Sequence, residues 1–188
     1  MNFALVGDVG TGKTILTTYL HQLVAQELNI DYGNDREFAM NGDFKFMDTY
    51  DATRHLFITL DEWGSMSKDK IDATSVSNLT KITGEAPFQA PMADLNKMGT
   101  QYVSHYSTVM TTNSPDFGLV GVITNPGAIA RRFIRIEVVV KPEHRVGDTC
   151  KINPKLLEQI DTEGEYWDGK VFVDNVKRSD VMSWREVG

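Results

Sequence analysis

A chain of 188 residues, 41% of them hydrophobic, suffices for one buried core of ordinary domain size and leaves room for at most a very small second domain. Its net charge of -7 excludes non-specific coating of nucleic acid by the whole surface, which needs a broad excess of Lys and Arg; a local basic channel is compatible with it. The single cysteine, Cys150, excludes an intramolecular disulfide and a cysteine zinc site, and suits a reducing compartment.

The first apolar run, residues 2–6, reads as a strand. A glycine-rich turn follows, and residues 15–28 carry apolar positions at helical spacing. Residues 29–51 are polar and glycine-containing with scattered aromatics, and read as a loop or irregular hairpin against the core. Residues 55–60 form an apolar run ending in Asp61, the pattern of a buried parallel strand with an acidic carboxyl edge. Residues 72–82 and 93–99 read as helices, residues 107–112 as a strand, and residues 113–126 as turn and loop. One or two helical turns over residues 128–132 precede a strand over 133–140, which Lys141 and Pro142 stop. Beyond it, a short helix is expected over 153–160, a strand over 170–173 and a terminal helix over 180–187. Strands alternating with helices give an α/β fold, a mainly parallel sheet sandwiched by helices. No stretch approaches the roughly 20 apolar residues that span a bilayer, and no signal peptide is expected; the first strand, opening at once, reads as that of a module excised from a larger protein.

The turn after the first strand carries the chemistry. Gly7, four intervening residues (Asp8, Val9, Gly10 and Thr11), then Gly12, Lys13 and Thr14 match the Walker A pattern, between a predicted strand and a predicted helix. Glycines let the backbone wrap a phosphate where a Cβ would collide or demand an unfavourable positive φ. The helix that follows adds unpaired N–H groups and the positive end of its dipole. Lys13 supplies a point charge to the outer phosphates of ATP, and Thr14 a hydroxyl ligand for Mg²⁺. Asp61 and Glu62 then fit a Walker B element, with Asp61 at the metal and Glu62 orienting or deprotonating the attacking water.

Asn113 ends the strand of Thr111 and Thr112, where its amide either senses the γ-phosphate or simply starts the turn before Pro115. Arg131 and Arg132 interrupt an apolar passage; they are either a surface ion-pair cluster or an arginine finger acting across a subunit interface. The aromatics Phe46, Tyr50, Trp63, Tyr102 and Tyr106 are expected mainly to pack, with stacking on RNA the alternative for Tyr102 and Tyr106.

Taken in order, the motifs resemble those of the superfamily-three helicases of positive-strand RNA viruses, the picornavirus-like replication ATPases. These are GDVGTGKT at 7–14, FMDTY at 46–50, LDE at 60–62, MADL at 92–95, GTQYVS at 99–104, TTN at 111–113 and ARRF at 130–133. The resemblance covers residues 1–140 and implies a P-loop NTPase core of AAA+ type, assembled as a homo-oligomeric ring, typically hexameric, with residues 141–188 an extension packing on the core or a neighbour. It implies ATP and Mg²⁺ as cofactors, Asp61 at the metal position, Asn113 as sensor, and Arg131 with Arg132 as the trans-acting pair. It places the 92–99 segment near a nucleic-acid channel, with Lys97 the basic residue available for phosphate. Many members have two aspartates where this chain has Asp61 and Glu62, and a basic residue where it has Met98; their cysteine-rich zinc region and membrane-binding segment are missing here.

The implied function is ATP hydrolysis coupled to RNA unwinding or remodelling in viral genome replication, in the host cytoplasm, alongside other replication proteins and at replication membranes reached through upstream sequence. Two rivals use the same motifs: an ATP-dependent assembly or packaging factor, and a nucleotide-switched replicase scaffold without helicase activity.

Overall fold

The computed structural model describes residues 1–41, 44–65, 73–153 and 182–186. Strand β1 (Asn2–Val6) lies inside the main sheet, so both its faces are covered and its sequence is apolar without alternation. Ala4 and Val6 pack on one face with Ile58, Leu60 and Met110 from neighbouring strands. Leu5 packs on the other with Val109 and with Leu16 and Leu20 of helix α1 (Lys13–Glu27).

Six described strands make this sheet: β1, β2 (Glu37–Asn41), β3 (Phe57–Trp63), β6 (Ser107–Thr112), β7 (Ile134–Val140) and β8 (Met182–Glu186), in the order β2-β3-β6-β1-β7-β8. The first five are mutually parallel, and β8 pairs antiparallel with β7. This is the α/β P-loop NTPase fold that the strand–loop–helix pattern predicts. Helix α2 (Ala73–Ile82) buries Val76, Leu79 and Ile82 in the cluster opposite α1, together with Trp63 and Phe117. A separate antiparallel pair, β4 (Phe88–Gln89) and β5 (Tyr102–Val103), carries the 90–101 loop. Helix α3 (Gly127–Ala130) is a single turn before β7.

Three expectations are corrected. The supposed loop over 29–51 contains β2, which pairs with β3 at the edge of the sheet and buries Phe38 in the core. Residues 93–99 are turns, not a helix: the Asp94 carboxylate accepts the Asn96 N–H at 2.9 Å and Gly99 has φ +82°. Residues 182–186 are strand where a terminal helix is predicted, because Glu186 to Met182 pair with Ile136 to Val140 of β7. The expected helix over 153–160, apart from its first residue, and the strand over 170–173 lie outside the described residues, as do residues 66–72 before α2.

Candidate functional site

The carboxyl edge of the parallel strands gathers the residues singled out above. The chain leaves β1 at Val6, turns through residues 7–12 and enters α1 at Lys13. Gly10 and Gly12 have φ of +80° and +86°, left-handed values that a side chain would strain. Gly7 is required for another reason: a Cβ there would sit 2.5 Å from the Val138 carbonyl oxygen of β7. No side chain caps the start of α1 and its first turn holds no acidic residue, so neither competes with an anion there.

Lys13 is nearly buried, at 8% exposure. Its ammonium donates to the carbonyls of Gly7 at 2.8 Å and Asp8 at 2.7 Å, and to Asn113 Oδ1 at 2.8 Å. Burial pushes its pKa down, while the nearby carboxylates of Asp8, Asp61 and Glu62 push the other way. All three acids therefore surround one cation. Asn113 is thus drawn into the phosphate loop's own network, although a hundred residues separate it from Lys13.

The acidic pair lies on an irregularity in β3. Leu60 pairs with Met110, but Trp63 pairs with Thr112, so Asp61 and Glu62 together oppose Thr111 alone. This is a β-bulge, and Glu62 takes φ +52° within it. In an unbroken strand consecutive side chains point to opposite faces, and the bulge breaks that rule at the acidic pair. Thr111 holds the distortion: its hydroxyl donates to Asp61 Oδ1 at 2.6 Å and accepts the Glu62 N–H at 2.8 Å. Trp63, fully buried, donates its indole N–H to the Phe117 carbonyl at 3.1 Å and closes the far side. Thr111 is the residue that sequence reasoning left as mere strand. Its alternation with Asn113, two residues on and on the same face, was the available signal.

Thr14 Oγ and Asp61 Oδ1 stand 3.5 Å apart. Two hard oxygen donors this close suit Mg²⁺, which takes one or two protein oxygens and completes its shell with phosphate and water. The donor set therefore fits the ion. Of the phosphate-loop residues, Val9 is 64% exposed, and Thr11 is buried with its hydroxyl on the Asp8 carbonyl at 3.0 Å.

The remaining candidates lie elsewhere. β7 begins opposite Phe3 of β1, so Arg131 and Arg132 sit at the amino edge of the sheet, roughly 13 Å from the phosphate loop at the rise of a strand. Arg131 is exposed. Arg132 is half-buried; its guanidinium donates to the Thr80 carbonyl at the end of α2, and its own carbonyl accepts from the Asn2 amide at 3.2 Å. Lys97 and Tyr102 belong to the β4–β5 hairpin and its loop, whose chain enters β6 at the same amino edge. Lys97 Nζ contacts the Asp48 carbonyl at 3.5 Å, and Tyr102 is 56% exposed. Among the other aromatics Tyr50 and Trp63 are buried, whereas Phe46 and Tyr106 are exposed.

Comparison with known proteins agrees with this arrangement. The RNA helicase family model matches residues 3–114, from the first strand through Asn113. The chain is 30% identical over 132 residues to the genome polyprotein of human rhinovirus C (strain C15), covering 69% of this chain and 5% of that protein. It is 33% identical over 111 residues to the genome polyprotein of human klassevirus 1, covering 59% and 4%, and 32% identical over 137 residues to that of Ljunganvirus 1, covering 70% and 6%. It therefore spans only a small part of the length of these relatives. The family match, which runs from β1 through the glycine-rich loop and the acidic pair of β3, places the chain in the RNA helicase family of picornavirus-like genome polyproteins.

Proposed function

We propose that the chain is an ATPase that couples Mg²⁺-dependent ATP hydrolysis to the unwinding or remodelling of RNA during viral genome replication. The observation that carries this reading is Lys13, held between the loop carbonyls and Asn113 while Thr14 and Asp61 converge beside it. Lys13 and the amides of residues 7–14 bind the outer phosphates, and Asn113 is placed to report the γ-phosphate. Glu62 orients a water and takes its proton as the oxygen bonds to the γ-phosphorus; the bond from that phosphorus to the bridging oxygen breaks, leaving ADP and phosphate. Mg²⁺, held by Thr14 and Asp61, supplies charge neutralisation to the phosphate oxygens.

The distance between each arginine and its own phosphate loop supports a ring in which a neighbour's arginine completes the site, hexameric by family habit. Residues 1–140 form the ATPase core and residues 141–188 a carboxyl-terminal extension that packs on the core or on a neighbouring subunit. Lys97 and Tyr102 contact RNA from the 90–102 hairpin, by charge and by stacking. The work is done in the host cytoplasm with other replication proteins, at membranes reached through neighbouring segments of the polyprotein.

One experiment tests the reading: phosphate release measured across size-resolved assembly states, with and without single-stranded RNA. RNA-stimulated turnover in the assembled fraction is expected. Turnover indifferent to RNA but raised by a protein partner would turn the reading to an assembly factor, and ATP binding without phosphate release to a scaffold.

A further inference from the structure

The chain beyond β7 does not simply leave the core. Residues 144–153 fold back as a tight hairpin: the Val146 N–H donates to the Lys151 carbonyl at 3.1 Å, the Asn153 N–H to the His144 carbonyl at 3.0 Å, and Arg145 bridges Ile152. Gly147, at φ +55°, makes the turn. Two anchors fix its base. Ile152 is buried in the α1-side core with Leu5, Leu16 and Val140, and the Arg145 Nε–H donates to the Val140 carbonyl at 2.7 Å.

Three contacts then lay the hairpin on the phosphate loop itself. The Ile152 N–H donates to the Gly10 carbonyl at 3.0 Å. The Cys150 thiol lies beside the Asp8 carboxylate, which pushes the thiol's pKa up. The aliphatic stem of Lys151 crosses directly over Gly10, so close that a Cβ on Gly10 would sit 3.1 Å from Lys151 Cγ. Lys151 is itself exposed, and among the described residues no carboxylate is in ion-pair distance of it. A lysine stem packed against Gly10, with no ion-pair partner among the described residues, places a cationic side chain beside that loop.

We propose that the 144–153 hairpin is a further wall of the nucleotide site and that Lys151, whose stem packs on Gly10, is a second lysine for the phosphate chain of the nucleoside di- and triphosphate. This rests on the reading of residues 7–14 as a nucleotide site. Because Lys151 stands outside the acidic pair and the Thr14–Asp61 donors, it contributes to binding the ground state and the transition state alike. Its loss therefore raises KM and leaves kcat in place. Being exposed, its contribution also weakens as salt rises.

The test measures binding of Mg²⁺-ATP, ADP and adenosine by calorimetry, with KM and kcat for phosphate release, on the whole chain and its Lys151→Ala, Lys151→Arg and Lys13→Ala variants. Lys151→Ala is expected to weaken ATP and ADP binding about ten-fold at low salt, with a matching rise in KM, kcat within about two-fold and adenosine binding unchanged. Lys151→Arg should recover most of the loss. ATP affinity unaltered in Lys151→Ala while Lys13→Ala abolishes it would overturn the assignment and spare the nucleotide site. An equal loss in Lys151→Ala and Lys151→Arg, accompanied by a lower melting temperature, would also overturn it, by making the stem a packing element only. Unaltered ATP affinity in Lys13→Ala would bring down the nucleotide site and this proposal with it.

Discussion

The Thr111 hydroxyl donates to Asp61 Oδ1 across 2.6 Å, and the hydroxyl oxygen in turn accepts the Glu62 N–H. One side chain on β6 thus fixes both the rotamer of the metal-side carboxylate and the backbone of the acid beside it, which stands in a left-handed conformation. Thr111→Val keeps the shape and removes both bonds. It should lower phosphate release by roughly 10- to 100-fold and raise the Mg²⁺ concentration needed for half-maximal rate, as removal of a supporting hydrogen bond behind a metal ligand does. The orphaned Glu62 N–H should cost about 1–3 kcal/mol of stability. Thr111→Ser should recover most of both. A Thr111→Val protein with unchanged Mg²⁺ dependence would show that Asp61 is oriented some other way.

On the proposed function, substitutions at Lys13 and Glu62 should divide binding from turnover. Lys13→Ala removes a nearly buried ammonium that three acceptors hold in place, so nucleotide binding should be largely lost. Glu62→Gln keeps the bulge and the backbone bond to Thr111 while removing the base, so nucleotide should still bind. Its turnover should drop by about 10²–10⁴, the usual range for a lost general base. Near-normal phosphate release by purified Glu62→Gln would take Glu62 out of the reaction.

What was legible in the sequence follows contiguity. Gly7 to Thr14 lie in one strand–loop–helix unit, so spacing alone locates the loop and the helix start. Asp61 was legible as the end of an apolar run, but the strand does not end there. It bulges and continues to Trp63, because Thr111 of another strand captures the Glu62 N–H. No local pattern encodes that. The role of Gly7 was half visible: a glycine was expected for wrapping phosphate, whereas the structure shows β7 crowding its α-carbon. β2 and β8 are edge strands formed by pairing with β3 and β7, and their sequences of five residues are too short to carry a period that announces it. The 144–153 hairpin was hidden likewise, since its reason to fold is the Gly10 carbonyl, more than a hundred residues earlier.

His21 makes the fold sensitive to acid. It is fully buried on α1, with Nδ1 2.7 Å from Ser107 Oγ and Nε2 3.0 Å from Thr59 Oγ, and Thr59 donates onward to Glu37. Burial lowers its pKa to about 4 against an ordinary 6.5, and burial lowers that of His105 to about 4 as well. A group with a depressed folded-state pKa binds its proton more readily once unfolded. The unfolded state therefore takes up more protons between pH 6.5 and 4, and stability falls as pH drops through that window. For His21 the full loss is on the order of 3 kcal/mol below pH 4. Urea unfolding between pH 7.5 and 4.5 should show it, with His21→Gln removing part of the slope and His105 and His55, both also lowered by burial, retaining the remainder. A slope that His21→Gln leaves intact would mean that other groups cause the acid sensitivity.

The two adjacent arginines should separate cleanly, because the structure gives them different surroundings. Arg132 donates to the Thr80 carbonyl near the carboxyl end of α2, where a cation meets both an open carbonyl and the negative end of the helix dipole. Removing it should cost about 1–2 kcal/mol of stability. Arg131, exposed on the turn before β7, has no such engagement among the described residues and should be nearly neutral for folding. Yet both lie at the sheet edge opposite the phosphate loop, so on the proposed reading either of them would reach a γ-phosphate only in a neighbouring subunit. Arg131 is the one whose guanidinium is free to cross. Arg131→Ala should therefore melt like the parent, assemble normally and hydrolyse ATP about 10³-fold more slowly, the scale of a lost arginine finger. Mixing it with Lys13→Ala subunits, which keep Arg131 but bind no nucleotide, should restore turnover at shared interfaces. If Arg132→Ala instead loses turnover without losing stability, and mixing rescues it but not Arg131→Ala, the roles are reversed and the contact with Thr80 must break on assembly.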